Sequence, residues 1–214
     1  MQTLIKRLCL LIAANFLLFS CASSYHPIAP QSVHYQSSNK LDDYKLKYRY
    51  NVLKNNRYKK KEDRKNIHLA AIEFTNNSDH EVVFGNDVYL VSSNGDHIFP
   101  VSTQEAFVGL KQSVASYLLY FLLCFVNITV TKTDNYGNVD QSQYPVGLIL
   151  GPSISIGNMI AAGSANTKFK DELEKYDIMN KTIQPGETRH GIVALLTPDY
   201  PALSLKIAET KELK

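Results

Sequence analysis

The residues with the most chemistry to offer are three cysteines, Cys9, Cys21 and Cys124, and six histidines. A thiolate can act as nucleophile or metal ligand, and an imidazole as base or ligand. Cys124 sits inside "YLLYFLLCFV", where apolar surroundings keep a thiol protonated and unreactive. The histidines are scattered. Only "SDH" at 78–80 and "GDH" at 95–97 repeat an acid–histidine pair, and neither has a recognised ligand spacing. Strands between the two pairs would also place their turns at opposite ends. The chain contains no G-x-S-x-G, no H-E-x-x-H and no P-loop. No nucleophile can be matched to a base, so the expectation is a protein that is not an enzyme and carries no metal or cofactor. A hydrolase is the weakest expectation.

Cys21 has a different setting. Lys6 and Arg7 form a short positive segment, and Leu8 to Phe19 follow as an apolar run of twelve. That run is too short to span a bilayer and suits the core of a signal peptide. Leu18, Ser20 and Cys21 in "LFSC" resemble the lipobox of bacterial lipoproteins. The resemblance implies removal of residues 1–20 and a diacylglyceryl group on Cys21, which becomes the mature N-terminus. Ala22 follows in place of the aspartate that marks inner-membrane retention in enteric bacteria, so the resemblance leans towards the outer membrane. The expected location is the cell envelope, with the membrane as a partner through the N-terminal lipid.

Maturation would leave Cys124 as the single free thiol, so no intramolecular disulfide is available. Net charge is +3 for the chain and falls to +1 without Lys6 and Arg7. No global charge bias argues for nucleic acid. Residues 22–43 mix Ser, Pro, Gln and Asn without apolar periodicity and read as a flexible tether. A single domain is expected over 44–214, long enough for a sizeable core.

In "YKLKYRYNV", Tyr44, Leu46, Tyr48, Tyr50 and Val52 alternate with Lys45, Lys47, Arg49 and Asn51, the pattern of a half-buried strand with a basic outer face. "KNNRYKKKEDRKN" reads as a polar turn. "IHLAAIEFTN" reads as a buried strand, followed by short strands broken at "GND" and a hairpin at "SSNGD". "IQPGET" supplies a Pro-Gly turn before a strand at about 190–197 and a last strand through Leu203, Leu205 and Ile207. About seven short strands suggest an antiparallel sandwich. The cues "FTNNSD", "SSNGD" and "IQPGET…GIVAL" resemble the immunoglobulin-like domains of envelope lipoproteins. The expected fold is therefore mainly β: an immunoglobulin-like antiparallel β-sandwich with an inserted hydrophobic helical hairpin and a short amphipathic helix.

The insert lies at about 105–180. Gln112 to Thr131 carry no charge, and twenty helical residues would reach about 30 Å. Gln141 to Thr167 are again uncharged and contain a Gly147-x-x-x-Gly151 pair, a small-residue spacing used between apolar helices. Residues 113–163 are expected to be substantially helical, with Pro145 and Pro152 opposing one straight second helix, and to shield each other, pack against the sandwich as part of an enlarged core, or dip into a same-side membrane surface. Leu118, Leu119, Phe121, Leu122, Phe125, Gly147 and Gly151 are the candidates for membrane contact or self-association. "TKFKDELEKYDIMN" places Phe169, Leu173 and Tyr176 on one face of a short helix. Lys132, Asp134 and Asp140 in the link, together with the two prolines, argue against a bilayer crossing.

Residues 45–65 hold ten Lys or Arg against Glu62 and Asp63. A solvated face is the plain reading of such a run. Lys45, Lys47, Arg49, Lys59, Lys60 and Lys61 are the candidates for contact with an envelope polyanion or anionic lipid. The leading functional expectation is a non-catalytic, lipid-anchored interaction module that engages another envelope protein. The alternative is a membrane-active protein whose central hairpin inserts or oligomerises.

Overall fold

The computed structural model describes residues 22–208. Cys21, the expected lipid site, and the signal segment lie outside the described residues. The chain divides into two compact units. One contains residues 25–111 and 166–208, and the other contains residues 22–24 and 112–165.

The first is the sheet unit. Its main sheet has five antiparallel strands in the order β1-β2-β3-β10-β6. They are β1 (Ser37–Leu41), β2 (Tyr44–Arg49), β3 (Ile67–Asn76), β10 (Thr188–Leu196) and β6 (Pro100–Val101). Short pairs β11–β5 (Leu203–Ile207 with Val88–Ser92) and β4–β9 (Val82–Val83 with Thr182–Ile183) complete the strands of this unit. Alternation in β2 buries Tyr44, Leu46 and Tyr48 as read from sequence. They pack with Ala70, Ile72 and Phe74 of β3, Val193 and Leu195 of β10, and Phe84, Leu90 and Leu205. The two ends of the chain thus build one core: β3 pairs with β10 over the whole length of β10, from Thr188↔Thr75 to Leu196↔Ile67.

Helix and strand take comparable shares of the chain, so the balance is less β-rich than expected. Residues 56–65, read as a turn, form the basic helix Asn56–Lys65. Asn55 accepts the Arg57 N–H at 2.8 Å as N-cap, and Asn66 closes the helix in the left-handed region. Tyr58 and Glu62, one turn apart, are its buried face. A second helix, Thr103–Leu110, starts at a Ser102–Glu105 capping box. Both helices pack on β3.

The segment read as a tether is also built into the fold. Tyr25 and Ile28 are buried. Glu172 accepts the N–H groups of Ile28 and Ala29 at 3.0 and 2.8 Å and the Tyr25 hydroxyl. The Tyr25 ring packs on Tyr58 and Phe169. The polar composition of residues 22–43 hid these few anchors.

The second is the apolar unit. Its helix Ala115–Phe125 is a 3₁₀ helix, and the long helix Gly147–Lys175 runs out of this unit and through the residues read as a separate short amphipathic helix. Between them is an antiparallel hairpin, β7 (Ile128–Thr133) and β8 (Val139–Tyr144). Residues 113–163 are thus helical over Ala115–Phe125 and from Gly147 onward, but the link between the helices, read as polar, is a two-stranded hairpin. Ile128, Thr129, Val130, Thr131 and Thr133 are β-branched, and such residues favour strand over helix. Pro152 lies inside the long helix without ending it. Its missing N–H removes one hydrogen bond near the helix start, and the helix continues beyond it.

Candidate functional site

A 3₁₀ helix repeats every three residues, so residues three apart line up along it. The sequence from Val114 to Phe125 fills three such rows. Tyr117 and Tyr120 are buried, stacked with ring centroids 6.4 Å apart, and Val114 and Leu123 pack with them. Leu118 and Phe121 form a second, exposed row. Leu119, Leu122 and Phe125 form the third and are 68%, 65% and 83% exposed. Eleven residues are a long run for this helix type, whose eclipsed side chains limit most examples to a single turn.

The inner row meets the long helix through small residues. A Cβ on Gly147 would stand 2.0 Å from the Leu123 carbonyl oxygen, and one on Gly151 would stand 2.8 Å from Cys124 Sγ. Ser155 donates to the Tyr117 carbonyl at 2.8 Å, and Ala162 packs with both tyrosines. Gly147 and Gly151 are thus consumed inside the unit and are not free for contact with a membrane or a second copy. The five predicted leucines and phenylalanines do face outwards. Ile149, Ile156 and Ile160 extend the exposed apolar surface along the long helix. Cys124 is half-buried against Gly151, short of the full burial its sequence setting suggested.

The hairpin mixes apolar and polar side chains along its length, with exposed Val139 and Tyr136 towards its tip. Ile128, Val130 and Tyr144 stand at its base, and Lys132 faces Asp140 farther out. At the tip Asp134 accepts the N–H groups of Tyr136 and Asn138 at 2.9 and 2.8 Å, and the Asn138 side chain at 2.8 Å. The Asn138 side chain leads the contacts that hold its carboxyl below the usual range. Both strands are almost wholly exposed.

Ala22, the first described residue, belongs to this unit. Its N–H donates to Asn158 Oδ1 at 2.5 Å, and it packs against the Tyr117–Tyr120–Ala162 cluster. Gln112 grips Ser23 from both sides, accepting its N–H at 3.3 Å and donating to its carbonyl at 2.7 Å. The predicted lipid attachment residue therefore joins directly to a residue docked on the apolar unit.

In the sheet unit the predicted cations separate. Lys45, Lys47 and Arg49 lie on one strand, whereas Lys59, Lys60 and Lys61 lie on the basic helix. Lys47 pairs with Glu73 at 2.7 Å, and Arg49 donates to the His34 carbonyl at 3.1 Å. Those two have partners within the fold. The acid–histidine pairs also stay apart in role. His80 contacts Asp79 at 2.9 Å and the Tyr44 hydroxyl at 3.2 Å, whereas His97 stacks between Tyr89 and Phe99. That stack, with Phe84, Leu90 and Met179, lines a shallow cavity of about 220 Å³. No group of three or more metal-ligating side chains occurs among the described residues.

Three further residues escaped the sequence reading. Buried Asn76 donates to the His80 and Ile183 carbonyls at 2.8 and 3.1 Å and accepts from Ser78 N and Oγ at 3.0 and 2.6 Å. Glu62, also buried, accepts the Leu69 N–H at 2.8 Å, and desolvation pushes its carboxyl up to about 7. His68 is buried beside Tyr200, with no hydrogen-bond partner for either ring nitrogen among the described residues. Burial holds it neutral by lowering its pKa. Compared with known proteins, the chain matches no family model, no curated protein and no solved structure.

Proposed function

We propose that the protein is a non-catalytic, lipid-anchored component of the cell envelope that seats its apolar unit in the membrane surface. The supporting observation is the docking of Ala22 on Asn158 and the Tyr117–Tyr120 cluster, in the same unit that exposes Leu119, Leu122 and Phe125. If Cys21 carries the lipid, its acyl chains start one residue from this unit. Many large apolar side chains left in water are costly, and a bilayer reached by the same unit's own anchor covers them.

The same docking argues against a crossing. Asn158 lies eleven residues into the long helix, about 16 Å along its axis from Gly147. With Ala22 at headgroup level, an upright helix would carry the β7–β8 hairpin near the middle of the hydrocarbon. A two-stranded hairpin has open edges, and hydrocarbon offers their N–H and C=O groups no partner. The unit therefore lies along the surface, apolar rows down, with the charged hairpin tip in water or among headgroups.

The sheet unit is the part that engages other envelope proteins. Its scaffold is the five-stranded sheet packed over the β11–β5 and β4–β9 pairs, an immunoglobulin-like sandwich in this reading. The Tyr89–His97–Phe99 stack, with Phe99 75% exposed, is its most apolar open feature.

The test is to remove the lipid and then the apolar row. The chain is exported behind an ordinary secretory leader with Cys21→Ser, and its flotation with membranes is measured. It should still float, and adding Leu119→Gln, Leu122→Gln and Phe125→Gln should release it. Full release by Cys21→Ser alone would overturn the seating.

A further inference from the structure

We propose that Lys61, Arg64, Lys65 and Lys111 form a binding site for the phosphate groups of anionic lipids. The inference rests on the membrane seating above and names the headgroup chemistry that would orient it.

Lys61, Arg64 and Lys65 stand at i, i+3 and i+4 on the basic helix and so share one face. The Lys61 ammonium donates to the main-chain carbonyl of Lys111, which follows the capped helix Thr103–Leu110 directly. The Lys111 ammonium in turn lies 5.4 Å from the centre of the Phe107 ring. Two helices thus bring four cations together.

Among the described residues no acid is paired with them. Glu62 is turned inward to the Leu69 N–H, and Asp63 is directed to Tyr200. The ion pairs among the described residues use Lys47, Lys170, Arg189, His80 and His190 with carboxylates, and none of these four. Partial burial, then Arg64, Lys65 and Lys111, lower the pKa of the Lys61 ammonium, as expected of crowded like charges. The helix dipole accounts for basic residues in the last turn of Asn56–Lys65. The Lys61 contact to the Lys111 carbonyl caps the second helix, whose C-terminus likewise favours a cation, but neither effect neutralises four cations gathered on two helices. A bound anion would relieve the repulsion.

Position in the chain selects the anion. Lys111 is the last residue of the sheet unit before the chain enters the apolar unit at Gln112. Basic residues flanking a membrane-seated segment meet the phosphate layer, where each contributes roughly fivefold in affinity for anionic lipid.

The experiment uses the mature chain with Cys21→Ser and two kinds of vesicle, pure phosphatidylcholine and phosphatidylcholine with phosphatidylglycerol. Binding to the anionic vesicles should be at least tenfold tighter, and high salt should remove the difference. Arg64→Gln with Lys65→Gln, both exposed, should remove most of the gain and leave neutral-vesicle binding intact. Adding Lys61→Gln and Lys111→Gln should remove the rest, with the melting transition checked for each variant. Lys40→Gln with Lys45→Gln, which removes equal charge from the sheet, should leave the gain in place. Equal binding to both vesicles would overturn the phosphate site while the seating stands. So would an equal loss from the Lys40 and Lys45 pair. Binding to neither vesicle would overturn the seating itself. Inorganic phosphate alone perturbing the four side chains, with no anionic-vesicle preference, would replace the lipid with a free phosphate ligand.

Discussion

At Asn76 one side chain makes four hydrogen bonds with no exposure to water. It closes the "NNSD" turn and ties it to β9 through the Ile183 carbonyl. Alanine would leave the Ile183 carbonyl and the Ser78 N–H without that partner in a dry site, while Ser78 Oγ keeps the His80 carbonyl. The expected loss is about 2–4 kcal/mol of unfolding free energy, readable by urea denaturation. Glu62 makes a pH prediction. Its folded pKa, about 7, lies above the ordinary 4.5. Its stabilising contribution is therefore fully present below about 4.5 and is lost as pH rises through 7. Glu62→Gln keeps an acceptor for Leu69 and should flatten that slope, a change of up to about 3 kcal/mol between the two limits. His68 acts in the opposite sense, because its lowered pKa disfavours folding as pH falls. The difference between Glu62→Gln and the parent chain isolates the carboxyl. None of these three residues announced itself in the sequence. A polar residue inside an apolar strand pattern, or one turn from a tyrosine on a charged helix, signals burial only once its partner is known.

At the scale of elements, what was legible followed from local periodicity. Period-two alternation placed β2, and the apolar runs placed β3 and β10, because a strand's two faces are written in consecutive residues. The basic helix was missed because its ten residues are almost all charged or polar, and charge alone does not separate a turn from a solvated helix. The Asn55 and Asn66 caps and the Tyr58–Glu62 spacing were the available signals. The β7–β8 hairpin was missed because low charge from 112 to 131 outweighed a visible β-branched run. The 3₁₀ geometry was hidden too. In "ASYLLYFLLCF" both 3.0 and 3.6 residues per turn give apolar faces, and only contact with Gly147 and Gly151 decides between them. Gly151→Leu should be far more damaging than Gly157→Leu, since a Cβ at Gly157 meets nothing within 4 Å. The expected result is loss of the protease-resistant 112–165 segment in the first variant and its retention in the second, measured by limited proteolysis.

For the whole molecule, the chain divides into two compact units, one holding residues 112–165, where the sequence reading put a hydrophobic insert at about 105–180 in a single domain. The sequence marked where apolar composition changes, at 112 and again near 165. It could not show that Ala22 and Ser23 belong with the insert, because a tie between residues far apart in the chain leaves no local pattern. That tie docks the start of the segment read as a tether on the apolar unit, and the proposed non-spanning reading rests on it. A cysteine at Asn135, with Cys124→Ala, should therefore react with an impermeant thiol reagent from the same side as a cysteine at Gln36. Protection until the opposite compartment is opened would mean a crossing.

The central claim is that Leu119, Leu122 and Phe125 rest in lipid while Lys45 stays in water. The most direct measurement is contact-dependent fluorescence quenching by brominated lipid. A polarity-sensitive fluorophore is placed on Leu122→Cys or Lys45→Cys, each in a Cys124→Ala chain bound to vesicles. The account predicts strong quenching with a blue-shifted emission at position 122 and neither at 45. An unquenched, water-like emission at 122 in the membrane-bound protein would contradict it.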